Sequence, residues 1–570
     1  MSVRLWFLCG LVVVLGPSGP AARRSDQSAP NAAPLEDTAP TTSLQAQRGA
    51  DEEMRQRVLM ALNASLTSRP VTEQRDLTSF YGSIAGPTVW LDAYGRLSAR
   101  AGAGLAIVQR AATDGLDPAD YGTAELLEMA TALAQATPIS TVHAAEFDVA
   151  LSAGVLRYLR HLHLGRLDPR TLGWQLAVPV EEDHDFAAVL REALDHNRLA
   201  DVADDLSPPL VQYRSLREML TRYRQLASDP AGLVAPTFTV TVRPGDACPG
   251  LPSLHRLLVR LGDLPAETPP PSSGIYDATM ADAVARFQTR HGLESDGVIG
   301  RATAAALRVP LAWRVRQIEL ALERLRWLPD LTAGPLVAVN IPMFRLWAWN
   351  GVPSGAPLVL SMGVIVGRAL NTRTPVFADE MEHVIFRPYW NVPSSILRNE
   401  SLPAIRKNPN YLSREDMEIV DGPADNSPVL APTEANLARL GRGGVRLRQR
   451  PGSGNALGLV KFMFPNRNDV YMHGTPAPQL FRSSRRDFSH GCIRVEDPVA
   501  LAEWVLRDDP GWTRERILAA MHGAPNQRVD LRRPVQVIIY YTTAVVTPED
   551  GLVHFAEDIY RQDTVLDRAL

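Results

Sequence analysis

The spacing of apolar residues divides this chain into segments of different texture. From Asp51 to about Ala235 the apolar positions recur near i, i+3, i+4, i+7, as in Val58, Leu59, Leu62 and Leu66, and again in Leu151, Val155, Leu156 and Leu159. Gly and Pro punctuate between these runs, so the pattern predicts a helical domain over 51–235. Over 237–307 the apolar faces shorten. Leu254, Leu257, Leu258 and Leu261 make one face, and Ala283, Val284 and Phe287 a second; Gly297 and Gly300 then precede Thr303 and Leu307. A further amphipathic helix over Leu311–Leu328 stops at Pro329 and predicts a connecting helix over 311–330. Beyond it, Leu336–Ile341, Leu358–Val366, Val384–Phe386, Val470–Met472 and Val535–Tyr541 are rich in β-branched and aromatic residues and predict strands. Residues 335–545 therefore read as a mainly β domain. Within it, residues 399–447 are more polar, with Pro and Gly throughout, and read as an inserted lid. Residues 546–570 read as a C-terminal tail. The fold class expected is α+β multidomain.

Two segments precede the helical domain. Residues 1–22 carry Arg4, an apolar run over Leu5–Gly16, and small or helix-breaking residues from Pro17 to Ala22, the pattern of a secretory signal. A membrane span needs about 20 apolar residues, so the run is short for an anchor. An uncleaved N-terminal tether is the rival reading. The expectation is an exported chain in the periplasm. Residues 23–50 hold few large apolar side chains and read as a disordered linker.

Composition narrows the chemistry. At about 150 residues per domain, 570 residues imply about four domains. A net charge of −4 argues against a broad nucleic-acid footprint. Only Lys407 and Lys461 are lysines among 59 basic residues, which reads mainly as coding bias. Three cysteines, Cys9, Cys248 and Cys492, exclude a disulfide scaffold, an iron–sulfur cluster and an all-cysteine zinc site. Cys9 lies in the signal. Cys248, beside Pro249, reads as a packed apolar residue rather than a disulfide partner of Cys492. His161 and His163 stand at i, i+2 on a helix, so they face different ways and read as surface or core histidines rather than a metal pair.

The candidate chemistry lies near the C-terminal end, in His473-Gly474-Thr475 and Ser489-His490-Gly491-Cys492-Ile493-Arg494. A thiol becomes a strong nucleophile when a nearby base or positive charge favours its thiolate. A histidine within reach supplies the base, and a third group orients the imidazole. Gly491 permits a sharp turn that aims successive backbone N–H groups at one point, as an oxyanion hole requires. Cys492, a histidine and this turn make a self-consistent acyl-transfer site. The competing readings are a zinc site built from Cys492, His490 and His473, and a structural cysteine beside unrelated histidines.

These residues carry a resemblance. His473, 15 intervening residues and then Ser489-His490-Gly491-Cys492 resemble the signature of the L,D-transpeptidase (YkuD-type) catalytic domain. Its long YcbB-like branch is also resembled in Trp390-Asn391-Val392-Pro393, Arg448-Gln449-Arg450-Pro451-Gly452, Lys461-Phe462-Met463-Phe464-Pro465-Asn466 and Tyr540-Tyr541-Thr542-Thr543. Arg243-Pro244-Gly245-Asp246, Gly274-Ile275-Tyr276-Asp277 and Asp296-Gly297-Val298-Ile299-Gly300 look like a small three-helix peptidoglycan-binding domain, so 237–307 is expected to be one. Short family members often carry Asn where this chain has Arg494; the long branch often has Arg.

The resemblance implies roles. Cys492 is the nucleophile, His473 the general base, and the Gly474 carbonyl its orienting partner. Backbone N–H groups of His490, Gly491 and Cys492 form the oxyanion hole. Tyr471, Trp390, Arg494 and Ser489 contact the stem peptide, and the arginines of Arg439–Arg450 either meet donor carboxylates or belong to a solvated loop. The reaction implied is attack on the third residue of a tetrapeptide stem, release of D-alanine, and resolution by an amine to give a 3–3 cross-link. A lipoprotein lysine or water as acceptor would give attachment or carboxypeptidase activity instead. No metal or cofactor is implied. The partners expected are peptidoglycan stem peptides, the cell wall and other wall-synthesis enzymes; the acceptor and the oligomeric state are left open.

Overall fold

The helical run of the first half packs around one long helix. In the computed structural model, which describes residues 39–176, 184–229, 233–329, 331, 334–351, 357–369, 372–523 and 525–570, helix Thr141–Leu164 is buried on nearly every side. Helices Val71–Ser83, Ala99–Arg110 and Thr123–Gln135 surround it, and Phe80, Val108 and Leu126 from them and Trp90 from the connection between the first two share a core with Phe147, Val155 and Tyr158. The signal reading, Cys9 and the linker up to residue 38 lie outside the described residues. The linker reading needs correction at its end: a helix runs over Ala39–Leu66 and so begins inside the segment expected to be disordered. Gln45, Ala46, Gln47 and Arg48 are good helix formers, and they extend a helix whose next turns carry the buried Val58 and Leu62.

Three shorter helices follow: Leu251–Leu261, Ala278–Arg290 and Arg301–Leu307. Leu254, Leu258, Ala283, Val284 and Phe287 form their shared core. Asp277 caps the second helix, its carboxylate accepting from the Met280 N–H at 2.9 Å. Cys248 is buried in this core, and Cys248 and Cys492 are both free thiols.

Helix Leu311–Arg326 is more than a connector. Its polar face is as buried as its apolar one: Arg326 pairs with Glu323 at 2.8 Å, and Arg324 pairs with the fully buried Asp563. Buried ions require such partners, and Asp563 belongs to the segment expected to be a tail. That expectation is overturned. Residues 544–570 contribute a strand pair and helix Gln562–Ala569; Val553 and Phe555 join the helical core, and the Arg290 guanidinium donates to the Val553 carbonyl at 2.6 Å.

The strands, in chain order, are β1 (Leu336–Asn340), β2 (Arg345–Trp349), β3 (Leu358–Gly367), β4 (Phe377–Phe386) and β5 (Trp390–Asn391). Then come β6 (Met417–Val420), β7 (Val429–Leu430), β8 (Arg446–Gln449), β9 (Val460–Met463) and β10 (Met472–His473). Last are β11 (Asp487–Ser489), β12 (Ile493–Val495), β13 (Gln527–Tyr540), β14 (Ala544–Val546) and β15 (Val553–Phe555). Among the described residues, nine form one sheet in the order β11-β3-β12-β10-β9-β4-β13-β1-β2. A further β2–β3 pairing closes it into a ring with β11 pendant on β3. Val337, Val364, Val384, Phe462, Met472 and Ile493 fill the interior.

The insertion between β4 and β9 is a small folded body rather than a loop. β5, β8, β6 and β7 form its sheet, and Leu397, Ile419, Leu440 and Leu447 form a separate core. It begins earlier than expected, at Trp390.

Candidate active site

Strand alternation builds the site. β10 lies between β9 and β12, with Met472 opposite Phe462 and Ile493, and His473 opposite Lys461 and Arg494. Successive residues point to opposite faces. Met472, Phe462 and Ile493 therefore enter the core, and Lys461, His473 and Arg494 share the other face. Tyr471 and Cys492 lie two residues earlier on their own segments and join that face; the Ile493 N–H donates to the Tyr471 carbonyl at 3.0 Å.

His473 is 4% exposed, and its Nδ1 donates to the Gly474 carbonyl at 2.6 Å, which leaves Nε2 as the basic nitrogen. Burial, with the Arg494 and Lys461 charges nearby, holds this imidazole down to about 3, although the carbonyls of Gly474 and Leu457 act the other way. The ring is thus a neutral proton acceptor at physiological pH.

The Cys492 thiol donates to the Asp469 carbonyl at 3.7 Å. Burial pushes the thiol up; hydrogen bonds from Tyr471 and the Lys461 charge oppose that. Tyr471 stands on the same face, its ring 5.8 Å from that of His473.

The turn before Cys492 is tightly braced. Gly491 has φ +119°, a backbone conformation that favours glycine. The Ser489 hydroxyl donates to the Cys492 carbonyl at 2.6 Å and accepts from the Gly491 N–H at 3.1 Å, and Thr374 donates to the Gly491 carbonyl at 2.7 Å. Two expectations change here. Ser489 is 2% exposed and holds the turn, so it is not a substrate contact. The Gly491 N–H is already taken, which leaves those of His490 and Cys492 for an oxyanion.

Other candidates sit elsewhere. Trp390 belongs to the insertion's sheet and packs on its core. Arg439, Arg448 and Arg450 are paired with Asp421, Glu418 and Asp416 inside the insertion and do not stand free for donor carboxylates. The half-buried Arg494 differs: its Nε has no hydrogen-bond partner among the described residues. His490 is turned outward, with Nε2 2.9 Å from Glu400 of the insertion. Among the described residues no group of three His, Cys, Asp or Glu side chains stands together as a metal site would need. His161 and His163 likewise serve packing contacts, with Tyr121 and the Leu206 carbonyl.

Sequence reasoning missed Lys461, Asp469 and Glu400 as members of this neighbourhood. Lys461 alone left a signal, being one of two lysines in the chain.

A thiol, an imidazole held by a backbone carbonyl, and a glycine turn on one face of a closed sheet have the layout of a cysteine acyl-transfer site. Comparison with known families makes this specific. Residues 334–534 match the L,D-transpeptidase catalytic domain. Residues 250–307 match the "Putative peptidoglycan binding domain" family, and residues 75–220 match a scaffold domain. The chain therefore carries an L,D-transpeptidase catalytic domain together with a peptidoglycan-binding domain. It is 31% identical over 255 residues to a protein of Haemophilus influenzae named "Putative L,D-transpeptidase". That match covers 45% of this chain and 49% of the relative, so the chain spans about half the length of the curated protein it matches.

Proposed function

We propose that this chain is a peptidoglycan L,D-transpeptidase acting in the periplasm through a Cys492 thioester. The observation that carries the reading is the shared face on which His473, fixed by the Gly474 carbonyl, stands with Cys492, Tyr471, Lys461 and Arg494. The Cys492 side chain turns from the Asp469 carbonyl toward His473, whose Nε2 takes its proton. The sulfur bonds to the carbonyl carbon of the third stem residue. The oxyanion is held by the N–H groups of His490 and Cys492. The carbon–nitrogen bond then breaks, and D-alanine leaves with the proton from His473. In the second half, an acceptor amine attacks the thioester, gives its proton to His473, and the thiol is regenerated. The amine of another stem yields a 3–3 cross-link. Arg494, beside His473 on the shared face, is the cation we assign to a stem carboxylate.

Incubation with tetrapeptide muropeptides and mass analysis of the products tests this. Cross-linked dimers and free D-alanine are expected from the intact protein and neither from Cys492→Ala. Cross-linking that persists in Cys492→Ala ends the reading. A carbapenem should add its mass to Cys492 and to no other residue.

A further inference from the structure

Lys461 stands in this site without a role in the steps above. It is one of two lysines in a chain with 57 arginines, and the other, Lys407, is exposed in the insertion. On β9 it is the register partner of His473. Its ammonium lies over the Tyr471 ring, 3.6 Å from the centroid, and Tyr471 and Cys492 lie on adjacent segments of that same face. A cation on an aromatic face is held there by the ring quadrupole, more strongly when water is excluded. An ammonium is a compact point charge, whereas a guanidinium is a wide plane with five donors. The charged and titratable groups around Lys461 are Tyr471 just before β10 and His473 on it, Cys492 just before β12 and Arg494 on it, Asp469 from the turn before β10, and His383 from β4.

We propose that Lys461 is a positioning residue for Cys492: it seats Tyr471 against the thiol and supplies the positive charge that favours sulfur's anion as its proton leaves. The proposal rests on the reading of Cys492 as the nucleophile. During acylation the thiol proton goes to His473 and from there to the departing amine, and Lys461 keeps its own proton throughout. Burial draws Lys461 down to about 8 while the nearby sulfur pulls the other way. An ammonium there is therefore charged at neutral pH and is strengthened by the anion it faces.

The test follows the rate at which iodoacetamide alkylates Cys492 between pH 6 and pH 9, which reports thiolate without needing a wall substrate. Lys461→Met should shift the profile up by about one pH unit and slow alkylation about tenfold at pH 7. Lys461→Arg, which keeps the charge, should stay near the wild-type midpoint. A Lys461→Met profile that superimposes on wild type overturns the proposal, and so does a Lys461→Arg profile displaced as far as that of Lys461→Met. A second measurement needs no variant. With carbon-labelled lysine the protein shows two lysine signals; Lys461 should be displaced upfield by the Tyr471 ring and titrate below the ordinary lysine range. A Lys461 signal indistinguishable from Lys407 overturns the proposal. These failures leave the transpeptidase reading standing; a wild-type Cys492 that resists both alkylation and acylation removes that reading instead.

Discussion

Gly458 is a position at which one methyl group should damage this site. It has φ +65°, and a Cβ added there would lie 2.6 Å from the Thr475 nitrogen, 2.7 Å from the Gly474 carbonyl carbon and 2.9 Å from the Gly474 Cα. All three are backbone atoms, so no rotamer change relieves the overlap. Ordinary contact begins near 3.4 Å, so the Gly474 segment must retreat by about 0.8 Å. The left-handed backbone adds about 1–2 kcal/mol for an L side chain. The carbonyl that moves is the one holding His473 Nδ1 at 2.6 Å. A misplacement of about 1 Å in a reacting group can cost on the order of 100-fold in rate. Gly458→Ala should therefore slow carbapenem acylation of Cys492 about 100-fold while lowering stability by only about 1–3 kcal/mol. Stopped-flow acylation followed by mass analysis measures the first quantity, and urea unfolding the second. Gly454→Ala, nearby and with open space around the added methyl, should acylate at the wild-type rate. A Gly458→Ala protein acylated within threefold of wild type would refute the claim that the Gly474 carbonyl positions the base.

Three further outcomes are expected. Ser489→Ala removes the hydroxyl that bridges the Cys492 carbonyl and the Gly491 N–H, and should cost about 1–3 kcal/mol in urea unfolding together with slower acylation; unchanged acylation would show that the turn holds itself. Asp263→Ala strands the buried Arg290, which it binds at 2.6 and 2.7 Å, and should destabilise the chain by about 3–5 kcal/mol, with Asp263→Leu/Arg290→Met recovering much of the loss. Asp148, fully buried and bound to Tyr81 and to the Val89 and Trp90 N–H groups, is raised from 3.8 to about 6 by burial. Its folded form holds a proton that the unfolded chain has released between those values, so wild-type stability is lost as pH rises from about 4 to about 6. Relative to Asp148→Asn, which does not ionise, the loss should reach about 3 kcal/mol at pH 7, read from urea midpoints at pH 4 and pH 7.

Much of this protein is written in local pattern. Period 3.6 over Leu151–Leu159 and β-branched runs at Leu336–Ile341 and Leu358–Val366 announce helix and strand, because a side chain's face is set by backbone repeat alone. His473 and Ser489-His490-Gly491-Cys492 stand out through their resemblance to the L,D-transpeptidase signature, since their spacing alone leaves a zinc site and a structural cysteine open. Tertiary structure decided the rest. The last 25 residues read as a tail, yet Asp563 within them is wholly buried against Arg324. Ser489 looked like a substrate contact and proved to brace the turn. Arg439, Arg448 and Arg450 of the insertion read either as donors to a stem carboxylate or as solvated, and are paired with Asp421, Glu418 and Asp416. Lys461 entered the site only when β9 came to lie beside β10. In each case the partner is distant in the chain. Periodicity reports which way a residue points, whereas charge pairing and burial depend on which strand or helix lies opposite, and only the closed fold determines that.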